Sequence, residues 1–176
     1  MSNGMREIII RGLMASVYDM LFKFLRTLPL GLLIGVITYV ILGYYRTESY
    51  GKRKYISIFY AYISIIIQMT IIFRPIGQIF VIDLTPFQLY GGARYTVLYA
   101  SANAIIFIPF GLLLPIVWRK AEKCYTCITM GFLFSFFIEL SQLLLRCGNC
   151  QVEDLIMNTI GTLIGYEIYK KIKQKI

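Results

Sequence analysis

Histidine is absent from this chain, and charged residues are scarce. The absence of histidine excludes histidine metal ligands and any catalytic triad that uses histidine as its base. Charged residues make up 15% of the chain and hydrophobic residues 58%, whereas soluble domains average about 25% and roughly 45–50%. Water penalises exposed apolar surface by roughly 25 cal/mol per Å². The composition therefore predicts an integral membrane protein rather than a soluble domain.

The formal net charge of +9 does not indicate a nucleic-acid partner. The 18 lysine and arginine residues lie mainly between apolar runs, and no basic, aromatic-interleaved soluble module is present. Basic residues at these positions set membrane topology and contact anionic headgroups. We therefore predict a membrane-lipid environment and no nucleic-acid binding.

The apolar runs predict an all-α, polytopic bundle of five transmembrane helices. A charge-free run of about 19 residues, rising 1.5 Å per residue as a helix, nearly crosses a hydrocarbon core of about 30 Å. The fifth run is the shortest. The predicted spans are residues 28–45, 55–73, 97–118, 126–145 and 155–169.

The first 27 residues differ from the predicted transmembrane domain, residues 28–176. Within residues 5–27 the charged side chains Arg11, Asp19, Lys23 and Arg26 fall on one side of a helical wheel. That pattern predicts an amphipathic helix lying in the membrane interface. Insertion as a sixth span stays open as an alternative.

The connection 74–96 combines breakers with an apolar stretch. It contains Arg74-Pro75, Asp83, Thr85-Pro86-Phe87, Gly91-Gly92 and Arg94 around the apolar residues 79–82. Proline and glycine disfavour a regular helix here. We predict a re-entrant or interface-packed segment.

Lysine and arginine counts predict the orientation. The segments 46–54, 119–125 and 170–176 hold 11 of these residues, and the other side holds 7. The C-terminus is therefore expected in the cytoplasm, and the connections 74–96 and 146–154 are expected to face outward.

Polar residues gather on the last two predicted helices. Glu139, Gln142 and Arg146 are spaced to share one face of the fourth helix, and Asp154 and Asn158 share one face of the fifth. Since a short connection joins these helices, Arg146 can meet Asp154. An ionised side chain in the bilayer costs about 2.5 kcal/mol or more. These five residues either tie the two helices together or form an outward-facing polar pocket, which is the interpretation we favour.

The third helix offers further candidates. Asn103 lies at about the depth of Asn158 and can close the same cluster. Pro109 frees a backbone carbonyl one turn earlier and, with Pro115, predicts a kink. On the fifth helix, Gly161 and Gly165 form a small-xxx-small pair that favours close packing of helices.

In order and spacing these residues resemble the VanZ-like membrane protein family. The resemblance covers roughly residues 83–169, including the Thr85-Pro86-Phe87 element. It implies a bacterial plasma-membrane protein that acts near the cell envelope and lowers susceptibility to teicoplanin. It does not imply an enzyme. The motifs are Asn103-x3-Phe107-Ile108-Pro109-x-Gly111, Glu139-x2-Gln142-x3-Arg146 and Asp154-x3-Asn158-x2-Gly161-x3-Gly165.

Our first functional hypothesis is a non-enzymatic resistance factor without a cofactor. Its predicted binding residues are Asn103, Glu139, Gln142, Arg146, Asp154 and Asn158. The partner would be a membrane lipid, a lipid-linked cell-wall precursor or the glycopeptide antibiotic, with Arg146 attracting an anionic group. The alternative is an intramembrane enzyme on a lipid-linked precursor, with Glu139 as general acid or base. Against it, the sequence offers no convincing nucleophile and no dense acidic metal site. A purely structural partner protein also stays open.

The cysteines do not predict a metal site. Cys124-x2-Cys127 and Cys147-x2-Cys150 have nearly the spacing of a zinc ribbon. However, the residues between the pairs form the fourth predicted span, which places the pairs on opposite faces of the membrane. Interfacial thiols are the favoured interpretation, and the redox state of Cys147 and Cys150 stays open.

Overall fold

The computed structural model of the protein describes residues 3–45, 48–74, 77, 82–83, 93–147 and 150–175. These residues form a helix bundle, as predicted. Four helical segments are long and apolar enough to cross a membrane: Val17–Tyr44, Tyr50–Ile72, Ala100–Val117 and Cys124–Leu145. The helices are α1 (Asn3–Tyr44), α2 (Tyr50–Ile67), α3 (Ala93–Val117), α4 (Cys124–Leu145) and α5 (Val152–Lys173).

The start of the chain differs from the prediction. The sequence predicts an interfacial helix that ends at residue 27 and a span that begins at residue 28, but α1 is one helix that continues through Pro29. Hydrophobic side chains occur both before and after residue 28, so the backbone needs no break between two patterns. The division into two elements, and with it the count of five spans plus an interfacial helix, is not confirmed.

Helix α5 is longer than predicted but less apolar than the other helices. It has 22 residues, and it does not meet the hydropathy criterion for a span that four other described segments meet. Glu153 and Asp154 occupy its first turn, and lysines occupy its last turn. Acidic residues at the start and basic residues at the end of a helix complement its dipole.

Helices α1 and α2 form an antiparallel hairpin. A Cβ atom built on Gly31 would lie 2.5 Å from Cγ1 of Ile65, and one built on Gly43 would lie 2.6 Å from Nη1 of Arg53. At the far end of the hairpin, the guanidinium of Arg26 lies 4.4 Å from the ring centroid of Phe73. This register aligns residues 26–43 of α1 with α2 and places the rest of α1 beyond the level of Phe73.

Helices α3 and α5 approach backbone to backbone. A Cβ on Gly161 would lie 2.0 Å from the carbonyl oxygen of Ala104, and one on Gly165 would lie 2.0 Å from that of Ile108. From the other side, a Cβ on Gly111 would lie 1.9 Å from the carbonyl oxygen of Thr162. The predicted packing role of the two α5 glycines is confirmed, and Gly111 takes part in the same contact.

One proline of α3 leaves an acceptor that another helix uses. Pro115 has no N–H for the carbonyl of Gly111, four residues earlier, and the thiol of Cys127 donates to that carbonyl oxygen at 3.7 Å. Near Pro109, the hydroxyl of Tyr62 donates to the carbonyl oxygen of Ile106 at 2.7 Å. This carbonyl is next to the one that Pro109 is predicted to free, which is that of Ile105, and its bond ties α2 to α3.

The bundle has two distinct ends. At one end, the hydroxyl of Tyr166 donates to the carbonyl oxygen of Glu122 at 2.8 Å. The ammonium of Lys173 lies 2.6 Å from the Glu122 carboxylate, and this hydrogen bond lowers the pKa of Glu122. The turn after α3 and the last turn of α5 therefore lie together.

At the opposite end, which we call the site end, α2 and α4 finish and α5 begins. Strand β1 (Ile82–Asp83) pairs in parallel with β2 (Cys150–Gln151), and the N–H of Gly77 donates to the carbonyl oxygen of Arg146 at 2.9 Å. The described residues of the connections 74–96 and 146–154 therefore lie at the same end of the bundle, as predicted.

Helix α4 also separates the cysteine pairs. Cys124 begins α4, whereas Cys147 follows its end and is 2% exposed. The two pairs therefore lie at opposite ends of the bundle, as predicted. Among the described residues, Cys124, Cys127 and Cys147 are free thiols.

Candidate functional site

Glu139 lies in the last part of α4 and is 3% exposed. Its Oε2 atom accepts the backbone N–H of Gln151 at 3.1 Å. A carboxylate buried at this depth requires polar partners. One partner is the N–H of Gln151, the residue that directly precedes α5. Glu139 therefore fixes the entry into α5.

Gln142 lies one turn after Glu139 on the same face and is 1% exposed. Its Nε2 atom donates to the carbonyl oxygen of Thr70 at 3.1 Å, and its Oε1 atom accepts Nη1 of Arg74 at 3.4 Å. Both ends of this amide therefore bind the end of α2. The predicted face of α4 points at α2 as well as at α5.

Asn103 and Asp154 join α3 to α5. The amide of Asn103 donates to Oδ1 of Asp154, so Asn103 closes the cluster as the sequence predicts. Asp154 and Glu139 interact electrostatically with each other, and both interact with Arg74. Helices α3, α4 and α5 and the residue that follows the end of α2 thus supply the side chains of a polar cluster, which we define as Arg74, Asn103, Glu139, Gln142 and Asp154.

Asn158 lies one turn further along α5 and has a different partner. Its amide donates to Oγ of Ser135 at 2.8 Å, and its backbone carbonyl accepts the hydroxyl of Thr162 at 2.9 Å. Asn158 is 6% exposed and Ser135 is fully buried. The bond to Ser135 ties α4 to α5, whereas the bond from Thr162 lies within α5, so the described contacts of Asn158 support a packing role.

Arg146 ends α4 in the left-handed conformation, with φ 50° and ψ 45°. That conformation is uncommon for residues other than glycine. The Arg146 side chain is exposed. The described hydrogen-bond partner of Asp154 is Asn103, and the contact between Arg146 and Asp154 stays a prediction.

Sequence reasoning missed Arg74 as a member of the cluster. It follows an apolar span directly, and it lies on the side that the orientation rule expects to be poor in basic residues. A lone arginine directly after a span, on the side that is poor in basic residues, was the sequence feature that could have indicated Arg74. Thr85, Pro86, Phe87 and the glycines at 91–92 lie outside the described residues, as do the side chains of Asp83 and Arg94.

The described part of the chain contains no group of three His, Cys, Asp or Glu side chains arranged to hold a metal ion. A shallow groove lined by Met14, Tyr18, Asp19 and Phe22 lies on α1 alone. The polar cluster is different, since it draws charged and amide groups from three helices and from the residue that follows the end of α2.

The sequence matches one protein family and one curated protein over the region that contains these residues. The family model described as VanZ/LLP1 matches residues 58–173. Protein VanZ of Enterococcus faecium is 34% identical over 96 residues, which cover 50% of this chain and 52% of that protein. The chain thus spans about half the length of this curated relative. No solved structure matches.

The matched region begins earlier than the motifs alone suggest. It starts at residue 58, inside α2, and therefore includes Arg74 as well as the motifs on α3, α4 and α5. The helical bundle, the order of the motifs and the match over more than half of the chain lead to one conclusion: the chain belongs to the VanZ/LLP1 family.

Proposed function

We propose that this protein lowers susceptibility to teicoplanin-type lipoglycopeptides by binding an envelope lipid or the antibiotic at the polar cluster. The observation that carries the proposal is the convergence of Arg74, Glu139 and Asp154 at one end of an apolar bundle. Charged groups at membrane depth are costly and commonly mark binding sites or relays. Family membership supports a role at the cell envelope.

The accessible groups of the cluster indicate the chemistry of its ligand. Arg74, Asn103 and Asp154 are partly exposed, whereas Glu139 and Gln142 are buried beneath them. A guanidinium binds phosphate or carboxylate through several N–H donors, and Arg146 adds a second one at the same end. Asp154 accepts hydrogen bonds from hydroxyl or amine groups. A phosphate headgroup with a neighbouring hydroxyl or amine fits this set.

The proposal includes a topology of five spans and an interfacial helix. Helix α5 counts as the fifth span because its 22 residues extend about 33 Å and connect the same two ends as α4. Pro29 in α1 is the point where an interfacial helix can turn into a span. With the basic end in the cytoplasm, the polar cluster faces outward in the bacterial plasma membrane.

Reporter fusions test this orientation. We expect a fluorescent protein fused after residue 175 to be bright in cells and alkaline phosphatase fused at the same point to be inactive, because the C-terminus is cytoplasmic. An active phosphatase and a dark fluorescent fusion would place the cluster on the cytoplasmic side and contradict the proposal.

The central experiment measures teicoplanin susceptibility in cells that express variants at matched protein levels. Arg74→Gln and Arg146→Ala each remove a guanidinium from the site end, so we expect susceptibility to return to that of cells without the protein. Arg119→Gln is the matched control, since Arg119 is exposed at the opposite end of the bundle. Undiminished protection by both site variants would remove the cluster from the mechanism.

A second candidate function rests on the two neighbouring carboxyl groups of the cluster. Glu139 and Asp154 interact electrostatically beside a guanidinium, an arrangement that can supply a general acid or base and stabilise developing negative charge. Lipids extracted from the same strains distinguish the candidates. A new or modified lipid that is absent from the Glu139→Gln strain would favour catalysis on an envelope precursor.

A further inference from the structure

Helix α2 does not end as a regular α-helix. Residues Gln68–Ile72 form a π-helical turn, which we call the π-turn. The N–H of Phe73 donates to the carbonyl oxygen of Gln68, five residues back, at 2.9 Å. The N–H of Arg74 reaches only Ile71, at 3.4 Å. The carbonyl of Thr70, which would accept the Arg74 N–H in an α-helix, is therefore available to another donor.

Gln142 is that donor. Its amide binds the Thr70 carbonyl with one end and the Arg74 guanidinium with the other, at 3.1 and 3.4 Å. A single buried side chain on α4 thus contacts both the carbonyl that the π-turn frees and the side chain that follows the turn. If α2 ended as a regular α-helix, the N–H of Arg74 would donate to the Thr70 carbonyl in place of Gln142.

The π-turn also accompanies an unsatisfied polar atom. Gln68, at its first position, is 2% exposed, and its Oε1 atom is buried without a hydrogen-bond partner among the described residues. A buried acceptor left unpaired is unfavourable. A buried polar group without a partner in a native structure calls for an explanation, and single π-turns in helices occur frequently at functional sites.

We infer that the π-turn positions Arg74 in the polar cluster. Gln142 is the positioning residue, because it binds both the carbonyl that the turn frees and the guanidinium of Arg74. Removing one residue would convert the turn to α-helix, rotating Arg74 by about 100° and drawing it back by about 1.5 Å. The guanidinium would then lose its hydrogen bond to Gln142 and move away from the carboxylates of Glu139 and Asp154, with which it interacts electrostatically. The geometric part of this inference is independent of the proposed function, and its consequence for resistance rests on that function.

Cross-linking in the full-length chain tests the geometry. With the native cysteines replaced by alanine, a short bifunctional thiol reagent is applied to the pair Arg74→Cys and Gln142→Cys and to the pair Phe73→Cys and Gln142→Cys. We expect position 74 to cross-link at least tenfold faster than position 73. Equal rates, or faster reaction at position 73, would overturn the inference.

Deletion of Ile72 tests the cause. Ile72 is 58% exposed, so Ile72→Ala is a matched control that removes the side chain and keeps the residue count. We expect the deletion to abolish the cross-link from position 74 to position 142 and the control to retain it. If the deleted protein does not fold, the comparison between positions 73 and 74 in the full-length chain still decides the geometry.

Susceptibility measurements separate this inference from the proposed function. We expect deletion of Ile72 and Gln142→Met to abolish protection. Ile72→Ala is expected to retain it, because the residue count of the π-turn is kept. Normal protection by both Arg74→Gln and Arg146→Ala would refute the proposed function, and the geometry would then be tested by cross-linking alone. If Arg74→Gln abolishes protection while the deletion of Ile72 and Gln142→Met both retain full protection, only the positioning role is refuted.

Discussion

Gly161→Ala is expected to destabilise the bundle strongly, as is Gly165→Ala on the same helix, α5. The added Cβ would lie 2.0 Å from the carbonyl oxygen of Ala104, whereas real Cβ atoms essentially never come closer than 3.0 Å to such an atom. Helices α3 and α5 would have to separate by about 1 Å, because the obstacle is backbone and cannot rotate away. Overpacking of this kind costs about 1–3 kcal/mol, and Gly161→Leu should prevent folding.

Thermal unfolding of the purified protein in detergent, followed by the loss of its monodisperse elution peak, measures this effect. Gly51→Ala provides the control, since nothing lies within 4 Å of a Cβ at Gly51 in α2. Alanine is favoured over glycine in a helix by about 1 kcal/mol, so Gly51→Ala should match or exceed the stability of the parent. Equal unfolding temperatures for Gly161→Ala and the parent would contradict the backbone contact between α3 and α5.

Two substitutions of Glu139 are expected to separate binding from architecture. Glu139→Gln removes the charge but retains an oxygen that can accept the Gln151 N–H, so the fold should persist while protection against teicoplanin is lost. Glu139→Leu leaves that N–H without its acceptor, which costs about 1–3 kcal/mol. The entry into α5 should then open roughly 5- to 150-fold more often. Cys147, 2% exposed in the parent, should react faster with a thiol reagent by the same factor.

The labelling experiment uses protein in which Cys124, Cys127 and Cys150 are replaced by serine. Glu167→Leu is the control, because Glu167 is an exposed carboxylate further along α5 and should leave Cys147 labelling unchanged. If Glu139→Gln labels as fast as Glu139→Leu, the carboxylate acts through its charge rather than through the bond to Gln151. Full protection by a stable Glu139→Gln would argue against a role of the charge in binding.

Helical spacing is sufficient to predict part of the site. The intervals between Glu139 and Gln142 fix a common face on any α-helix, and the structure presents that face to α2 and α5. Asn103 follows similarly from its depth in the third span. These are local properties of regular helices, which is why a single sequence reveals them.

Arg74 could not be assigned in this way, because its position depends on one extra residue in the last turn of α2. A π-turn has no distinctive residue pattern in an apolar run such as Gln68–Ile72, and its bonds to Gln142 join residues far apart in the chain. The bond between Asn103 and Asp154 likewise depends on packing, which brings α3 against the start of α5.

The glycine contact between α3 and α5 has a consequence for how the protein is made. Segments of a membrane protein emerge from the ribosome in order, and N-terminal elements generally fold first. Helices α1 and α2 can pair as soon as both have emerged. Helix α3 contains two prolines, and Gly111 and Ala104 lie on the face that contacts α5. That face stays without its partner until α4 has been inserted and α5 has been synthesised. During that interval α3 lacks its principal packing partner, so late synthesis of α5 sets the time at which the core can close.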